Sequence, residues 1–336
     1  MTTVGDQYMT LTDYANRLDP NGAIAEIAEV LQETNEILDD MIWKEGNLTT
    51  GEKHTIRTGL PSVTWRELYG GIQPSKSTTR QVVDTCGAIE ALSKVDVGLI
   101  ELSANEKATR ATEDDAFVES MSQELGTSLF YYSIKTDPEK ITGFTPRYNQ
   151  LPTLAKHDDF RDNVITGAGS GSVNTSIWLL CWGPRSVFGI FPKNTKIGLQ
   201  QEDLGKQLVT ADGGGEYLAY VTHFKWLVGL AIKNWKYVAR ICNIDVTTLK
   251  EDLSSGADII KLMIKAYYKI PRANQGSKMV FYANNTIAEF LHQQARNKTN
   301  VNLTLDTVDG KPITKCLGIP IKRCDALLNT ESAVAA

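Results

Sequence analysis

The chain has 336 residues, of which 42% are hydrophobic and 22% charged, and carries a formal net charge of -5 at pH 7. It is long enough for one large or two medium domains and can build a core without covalent staples. Its acidic balance excludes a general basic surface that would wrap nucleic acid, leaving room only for a local basic patch.

The opening "MTTVGDQYMT" shows no basic segment followed by an apolar core, and residues up to about Asp19 read as a loose arm. In "NGAIAEIAEVLQETNEILDDMIW", Ile24, Ile27, Leu31, Leu38, Met41 and Ile42 recur at helical spacing, with Glu and Asp on the other face. Such a helix packs on its own domain or on a neighbouring subunit. From Glu45 to about Arg80 the chain is polar and turn-rich. Two pieces, "KHTIRTG" and "SVTWREL", have strand character, which predicts a long two-stranded ribbon. A ribbon alone is marginal in water, so this one should lie on something. Trp65, between Thr64 and Arg66, is an expensive side chain to leave bare.

The apolar "GAIEALSKVDVGLIEL" is followed by "TEDDAFVESMSQELGTSLFYY". Here Thr112 is a candidate N-cap, Glu113–Asp115 suit the positive end of a helix dipole, and Val118, Met121, Leu125 and Leu129 form a stripe. After Thr136 strands dominate: "SIWLLCWG", "SVFGIFPK", and two long strands either side of Lys233-Asn234. Then come a helix "GADIIKLMIKAYYKI" ending at Pro271, a strand "KMVFYA", and a helix "NNTIAEFLHQQARN" with a Thr286–Glu289 capping box. A hairpin follows, turning at Asp309-Gly310. The class is α+β. The longest apolar runs, such as "WLVGLAI", are too short to cross a bilayer, so the expectation is a soluble intracellular product without membrane association.

No catalytic, cofactor or metal constellation emerges. Gly167, Gly169 and Gly171 have G-x-G-x-G spacing and precede a strand. A dinucleotide fingerprint needs G-x-G-x-x-G opening a helix, so the loop reads as a flexible surface connection. His54, His157, His223 and His292 are far apart, and His223 reads as a packed strand histidine. "LDTVDGK" lacks the carboxylate or amide ligands a calcium loop needs at Leu305 and Thr307. Cys86, Cys181, Cys242, Cys316 and Cys324 contain no C-x-x-C pair and read as reduced, mostly buried thiols.

Several long segments in one order carry a resemblance: "QETNEILDDMIWKEGNL", "HTIRTGLPSVTWRELYGGIQPSKST", "TGFTPRYNQL", "NTSIWLLCWGP", "GIFPK", "GLQQEDLG" and "FKWLVGLAIKNWKYVARICNID". They are similar to major capsid proteins of short-tailed double-stranded DNA bacteriophages of the epsilon15-like and Bordetella-phage groups. The resemblance is dense over about Gln32–Asp245. Beyond it, "FYANNTIAEFLHQQAR" and "LGIPIKRCDAL" are the best pieces. It implies an HK97-like capsid fold with an N-terminal arm (1–42), an extended loop (43–86) and a peripheral domain (87–140) with a spine helix at about 112–132. Residues 141–336 would form an axial domain with the remaining peripheral strands, in a chain order that can depart from the commonest version.

The implied function is a non-enzymatic subunit that assembles with itself, as hexamers and pentamers, into an icosahedral shell in the host bacterial cytoplasm. The resemblance further implies a scaffolding protein, a portal and a cement protein as partners, and at most weak contact with the enclosed DNA. Arg57, Trp65, Arg66 and Lys76 on the extended loop are the expected inter-subunit contacts, with bending at Gly59, Gly70 and Gly71. On the arm the expected contacts are Ile24, Ile27, Leu31 and Leu38. No motif supplies an asparagine partner for a covalent cross-link from Lys53 or Lys76. A tail-tube or portal subunit, or an enzyme without a motif, are the competing readings.

Overall fold

The computed structural model describes residues 33, 35–102, 105–152, 160–211, 214–251, 257–271, 277–297, 303–308 and 311–335. In chain order the elements are α1 (Ile37–Asp40), β1 (Trp43–Glu45), β2 (Gly51–Gly59), β3 (Thr78–Asp96), α2 (Val97–Glu101) and α3 (Glu106–Tyr131). They continue with β4 (Val164–Thr166), β5 (Asn174–Trp182), β6 (Val187–Phe191), β7 (Leu199–Thr210), β8 (Glu216–Ile232), β9 (Val238–Asp245) and α4 (Val246–Glu251). The last are α5 (Ile259–Lys269), β10 (Lys278–Ala283), α6 (Asn285–Asn297), β11 (Leu303–Val308), β12 (Lys311–Cys316) and β13 (Ile319–Arg323). The chain divides into two compact units, one of Met1–Thr34, Ala88–Gly126 and Lys196–Leu227, the other of Asn35–Gly87, Thr127–Thr195 and Val228–Ala336.

In the first unit β7 and β8 pair antiparallel from Leu199↔Trp226 to Thr210↔Glu216, with a register shift between Asp203 and Gly205. Val95, Leu99 and Ile100 form a small core with Tyr220 packed against it. Phe117 stacks on Phe224 at 6.3 Å. Arg110 pairs with Asp203 at 2.7 Å and lies over the Tyr220 ring.

Helix α3 begins at Glu106, six residues before the expected cap. Thr112 sits inside it, its hydroxyl donating to the Ala108 carbonyl at 2.9 Å. Lys107, Ala108, Arg110 and Ala111 are strong helix formers that carry the helix upstream of the acidic run. Met121 and Leu125 are buried, whereas Val118 is 36% exposed.

The second unit is built on β5, whose nine residues are all buried. Trp, Ile and Leu without polar alternation make it a strand covered on both faces. On one side β10 pairs antiparallel with it and β13 pairs parallel with β10; on the other side lie β9, antiparallel, and β4, parallel to β9. Although β8 and β9 flank the Lys233-Asn234 turn, they do not pair with each other: β8 joins β6 and β7, while β9 joins β4 and β5. Helices α5 and α6 cover the sheet with Ile259, Met263, Ala266, Ile287 and Leu291, against Ile177, Leu179, Ile241 and Phe281. Asp258 caps α5 by accepting from the Lys261 amide at 3.1 Å. For α6 the cap is Asn284, which accepts from the Ile287 amide at 3.0 Å, rather than the expected Thr286.

The glycine loop is packed. Gly167 and Gly169 donate their amides to Cys242 and Asn243 carbonyls, both at 2.8 Å. A Cβ on Gly169 would lie 2.7 Å from the Asn243 carbonyl oxygen and 2.6 Å from Asn174 Oδ1. Glycine is therefore required for the backbone to run flush against the end of β9. The same loop receives the C-terminal segment. The Ala333 amide donates to Gly171 O at 2.9 Å, the Val334 amide to Asn243 Oδ1 at 2.8 Å, and Glu331 bridges to Asn174.

That segment brings a carboxylate into the core. Arg240 on β9 is 1% exposed, and its Nη2 donates to Glu331 Oε2 at 2.9 Å. Its Nη1 donates to the Tyr148 carbonyl at 2.8 Å, and its Nε to Ser176 Oγ at 3.2 Å. Ser176 and Tyr131 both donate to Glu331, and the Arg240 guanidinium lies over the Trp178 ring. Burial, with the Glu331 charge adding to it, pushes the Tyr131 hydroxyl well above its ordinary pKa.

None of the five cysteines is joined in a disulfide; four are buried and Cys86 is half-buried. Burial pushes Cys86 and Cys181 up to about 12.

Candidate assembly surface

The ribbon is β2 paired antiparallel with the first part of β3, from Gly51↔Thr85 to Gly59↔Thr78, with a register shift between Arg57 and Gly59. The expected strand "KHTIRTG" is the second part of β2. "SVTWREL" is not the returning strand; it lies in the unpaired tip, residues 60–77, and the return begins only at Thr78. Pro61 and Pro74 bound this stretch and lack the amides a ladder needs.

The tip is held by few bonds of its own. The Gly70 amide donates to Glu67 O at 3.0 Å, Ser75 Oγ donates to Ser62 O at 2.8 Å, and Tyr69 turns the chain with φ +70°.

What the tip presents is apolar. Trp65 and Tyr69 are fully exposed, Val63 is 92% exposed, and Leu60, Leu68 and Ile72 are also bare. Of the expected contacts, Arg57 lies exposed on β2, and Trp65, Arg66 and Lys76 lie exposed in the tip. Val63, Leu68 and Tyr69 were missed in sequence. The signal was there, because five large apolar residues stand between two prolines in an otherwise polar stretch. A monomer rarely leaves such a cluster uncovered.

The root of the ribbon is anchored by buried charge. Asp84 on β3 accepts from Arg147 Nη1 at 2.7 Å and from the Ile232 amide at 3.3 Å. Glu52 on β2 accepts from the Asn47 amide at 2.9 Å and pairs with Lys44 at 3.3 Å. Each strand of the stem is thus tied to the body of its own unit, while the tip is not. His54 on β2 is 5% exposed, and its Nδ1 is 3.8 Å from Asp84 Oδ2, beyond hydrogen-bond reach. Burial and, less strongly, the Lys233 charge lower its pKa, against opposing pulls from Asp84 and Glu52.

The folded state therefore favours neutral His54, whereas the unfolded chain takes up the proton near pH 6.5. The contribution is complete above pH 6.5 and declines as pH falls toward the lower folded value. His54→Gln is expected to flatten this loss. Urea midpoints of the unassembled subunit at pH 7.5 and 5.5 check it, and equal pH dependence in both proteins would refute the assignment.

On the arm, Leu38 in α1 is half-buried within its own unit, while Ile24, Ile27 and Leu31 lie outside the described residues. The acidic face of this stretch is not wholly solvated. Asp40 is 4% exposed and accepts from Lys278, from Lys322 at 2.7 Å and from Tyr282 at 2.7 Å. Burial alone would raise its pKa, but these donors hold it below the ordinary carboxylate value. His223 is not packed away as expected: a quarter of its side chain is exposed, 3.4 Å from Glu90, which also pairs with Lys225.

Among the described residues no group of three or more His, Cys, Asp or Glu is arranged to hold a metal ion. No described helix is long and apolar enough to cross a membrane.

The family model for major capsid protein GP7 matches residues 19–335. Among solved structures, a chain of the near-atomic cryo-EM structure of bacteriophage epsilon15 is 39% identical, with all of both chains covered and a TM-score of 0.79. The bacteriophage JBD30 capsid is 10% identical, with 89% of this chain and 93% of that one covered at a TM-score of 0.50, a likeness of fold alone. No curated protein matches. The fold is therefore the HK97-like α+β fold of phage capsid subunits. The chain belongs to the GP7 family of major capsid proteins and is a structural subunit of an icosahedral phage shell.

Proposed function

We propose that the ribbon tip is the principal grip between subunits, and that these grips close the chain into hexamers and pentamers around phage double-stranded DNA. The observation that carries this is the bare apolar tip on an anchored stem. Identical subunits that repeat one heterologous contact close into rings and shells. A reaching ribbon enlarges that contact without enlarging the core. Arg57, Trp65, Arg66 and Lys76 make the contact, together with Val63, Leu68 and Tyr69.

The unit containing most of α3 corresponds to a peripheral domain, the β5-centred sheet to an axial domain, and residues 1–42 to the arm. The chain catalyses nothing. It assembles in the host cytoplasm with a scaffolding protein and a portal, and takes a cement protein on the finished shell. Its acidic balance, -5 overall, keeps contact with the packaged DNA weak. Electron microscopy of the expressed chain, alone and with its neighbouring gene products, tests this. Closed polyhedral shells are expected, and tubes or single rings would point to a tail or portal role instead.

A further inference from the structure

Helix α5 carries a face that nothing described in its unit covers. Lys261, Lys265, Tyr268 and Lys269 are all exposed. The lysines recur every fourth residue, about 6 Å apart along the axis, and none forms an ion pair among the described residues. Beside them a groove of about 600 Å³ opens between α5 and β4, walled by Leu151, Val164, Ile165 and Ile264. An occupant must therefore be apolar on one side and acidic beside it.

The chain contains such a segment outside the described residues. In "NGAIAEIAEVL", Ile24, Ile27 and Leu31 share one helical face, and Glu26 and Glu29 stand off it. We propose that the α5 groove receives residues 21–31 of a neighbouring subunit's arm, with Ile24, Ile27 and Leu31 in the groove and Glu26 and Glu29 along the lysines. This rests on reading the arm as an inter-subunit contact.

The reach favours a neighbour's arm over the subunit's own. Asn35 is fixed at the end of β13 by its bridge to Cys324, and β13 is separated from β4 by β10, β5 and β9. Four strand spacings are about 19 Å, whereas the eight residues from Asn35 back to Ile27 rise only about 12 Å as a continuous helix. DNA would suit the lysines but not the apolar walls.

The test is a pair of cysteines placed on different subunits. Shells co-assembled from Ile27→Cys and Tyr268→Cys subunits are oxidised with copper phenanthroline and run on a denaturing gel. The native thiols are buried or half-buried, so the background is low. A dimer band in mixed shells, absent from shells of either variant alone, is expected. Mixed shells that are closed by microscopy yet give no dimer overturn the proposal. So does a chain carrying both cysteines that gives only an intrachain bridge, which would put a subunit's own arm in the groove.

Independently, Lys265→Glu with Lys269→Glu should lower shell yield about tenfold, and adding Glu26→Lys with Glu29→Lys should restore it. Failure to restore, or loss of DNA retention with shell yield unchanged, counts against the arm. A wild-type chain that forms no shells would strike the assembly reading instead.

Discussion

Trp65→Ala is expected to leave the subunit folded and its shells fragile. The side chain is fully exposed, in a tip that touches little but itself, so unfolding of the unassembled subunit should shift by no more than about 0.5 kcal/mol. A buried interface tryptophan, in contrast, is worth about 2 kcal/mol or more per contact. In the proposed assembly every subunit makes that contact, so the losses accumulate over the particle. Differential scanning calorimetry of shells and of dissociated subunits separates the two effects. A lower shell transition with an unchanged subunit transition is expected. Shells as heat-resistant as wild type would show that the tip is not the grip.

The second large effect falls on the fold itself. Glu331→Ala is expected to destabilise the second unit by about 3–5 kcal/mol, because it leaves the Arg240 guanidinium buried without its carboxylate. The loss should also loosen the segment after Asn329, which then rests on its backbone bonds to Asn174 and Gly171 and on the Asn243 side chain. Hydrogen exchange reads this as faster exchange of the Ala333 and Val334 amides. Pairing Glu331→Ala with Arg240→Met should recover part of that loss, because no charge is then stranded even though the smaller pair leaves space behind. If the single variant unfolds at the wild-type denaturant midpoint, the cluster does not support the core as described.

Where the pattern of residue types and the tertiary environment agree, the sequence was readable. β5, β6 and β10 are short apolar runs, and α5 has its buried residues at helical spacing with Pro271 just beyond, so each was identified with close limits. The exposed ribbon tip was half legible. Trp65 stood out because its exposure is costly. The stretch around it has the residue types of a strand, but a strand also needs a partner, and the partner of β2 lies beyond Pro74.

Caps were misplaced for a related reason. Thr112 and Thr286 have the right chemistry, but Asn284 and the residues before Glu113 had equal or better claims, which only the fold decides. The buried charges were illegible. Asp40, Asp84, Arg240 and Glu331 look like surface residues, and their partners lie far along the chain. The glycine loop was legible as non-nucleotide, but its actual duty depends on a segment that arrives more than 150 residues later.

The Arg240–Glu331 pair also sets a clock. The two residues are 91 positions apart, and at ribosomal speeds of about 5–20 residues per second the arginine is made roughly 5–20 s before its carboxylate. For that interval β9 carries an unpaired cation that resists burial, so the sheet around β5 cannot close into its final form on a nascent chain. A polysome would thus hold many growing subunits at once, none yet able to offer a finished surface to the next.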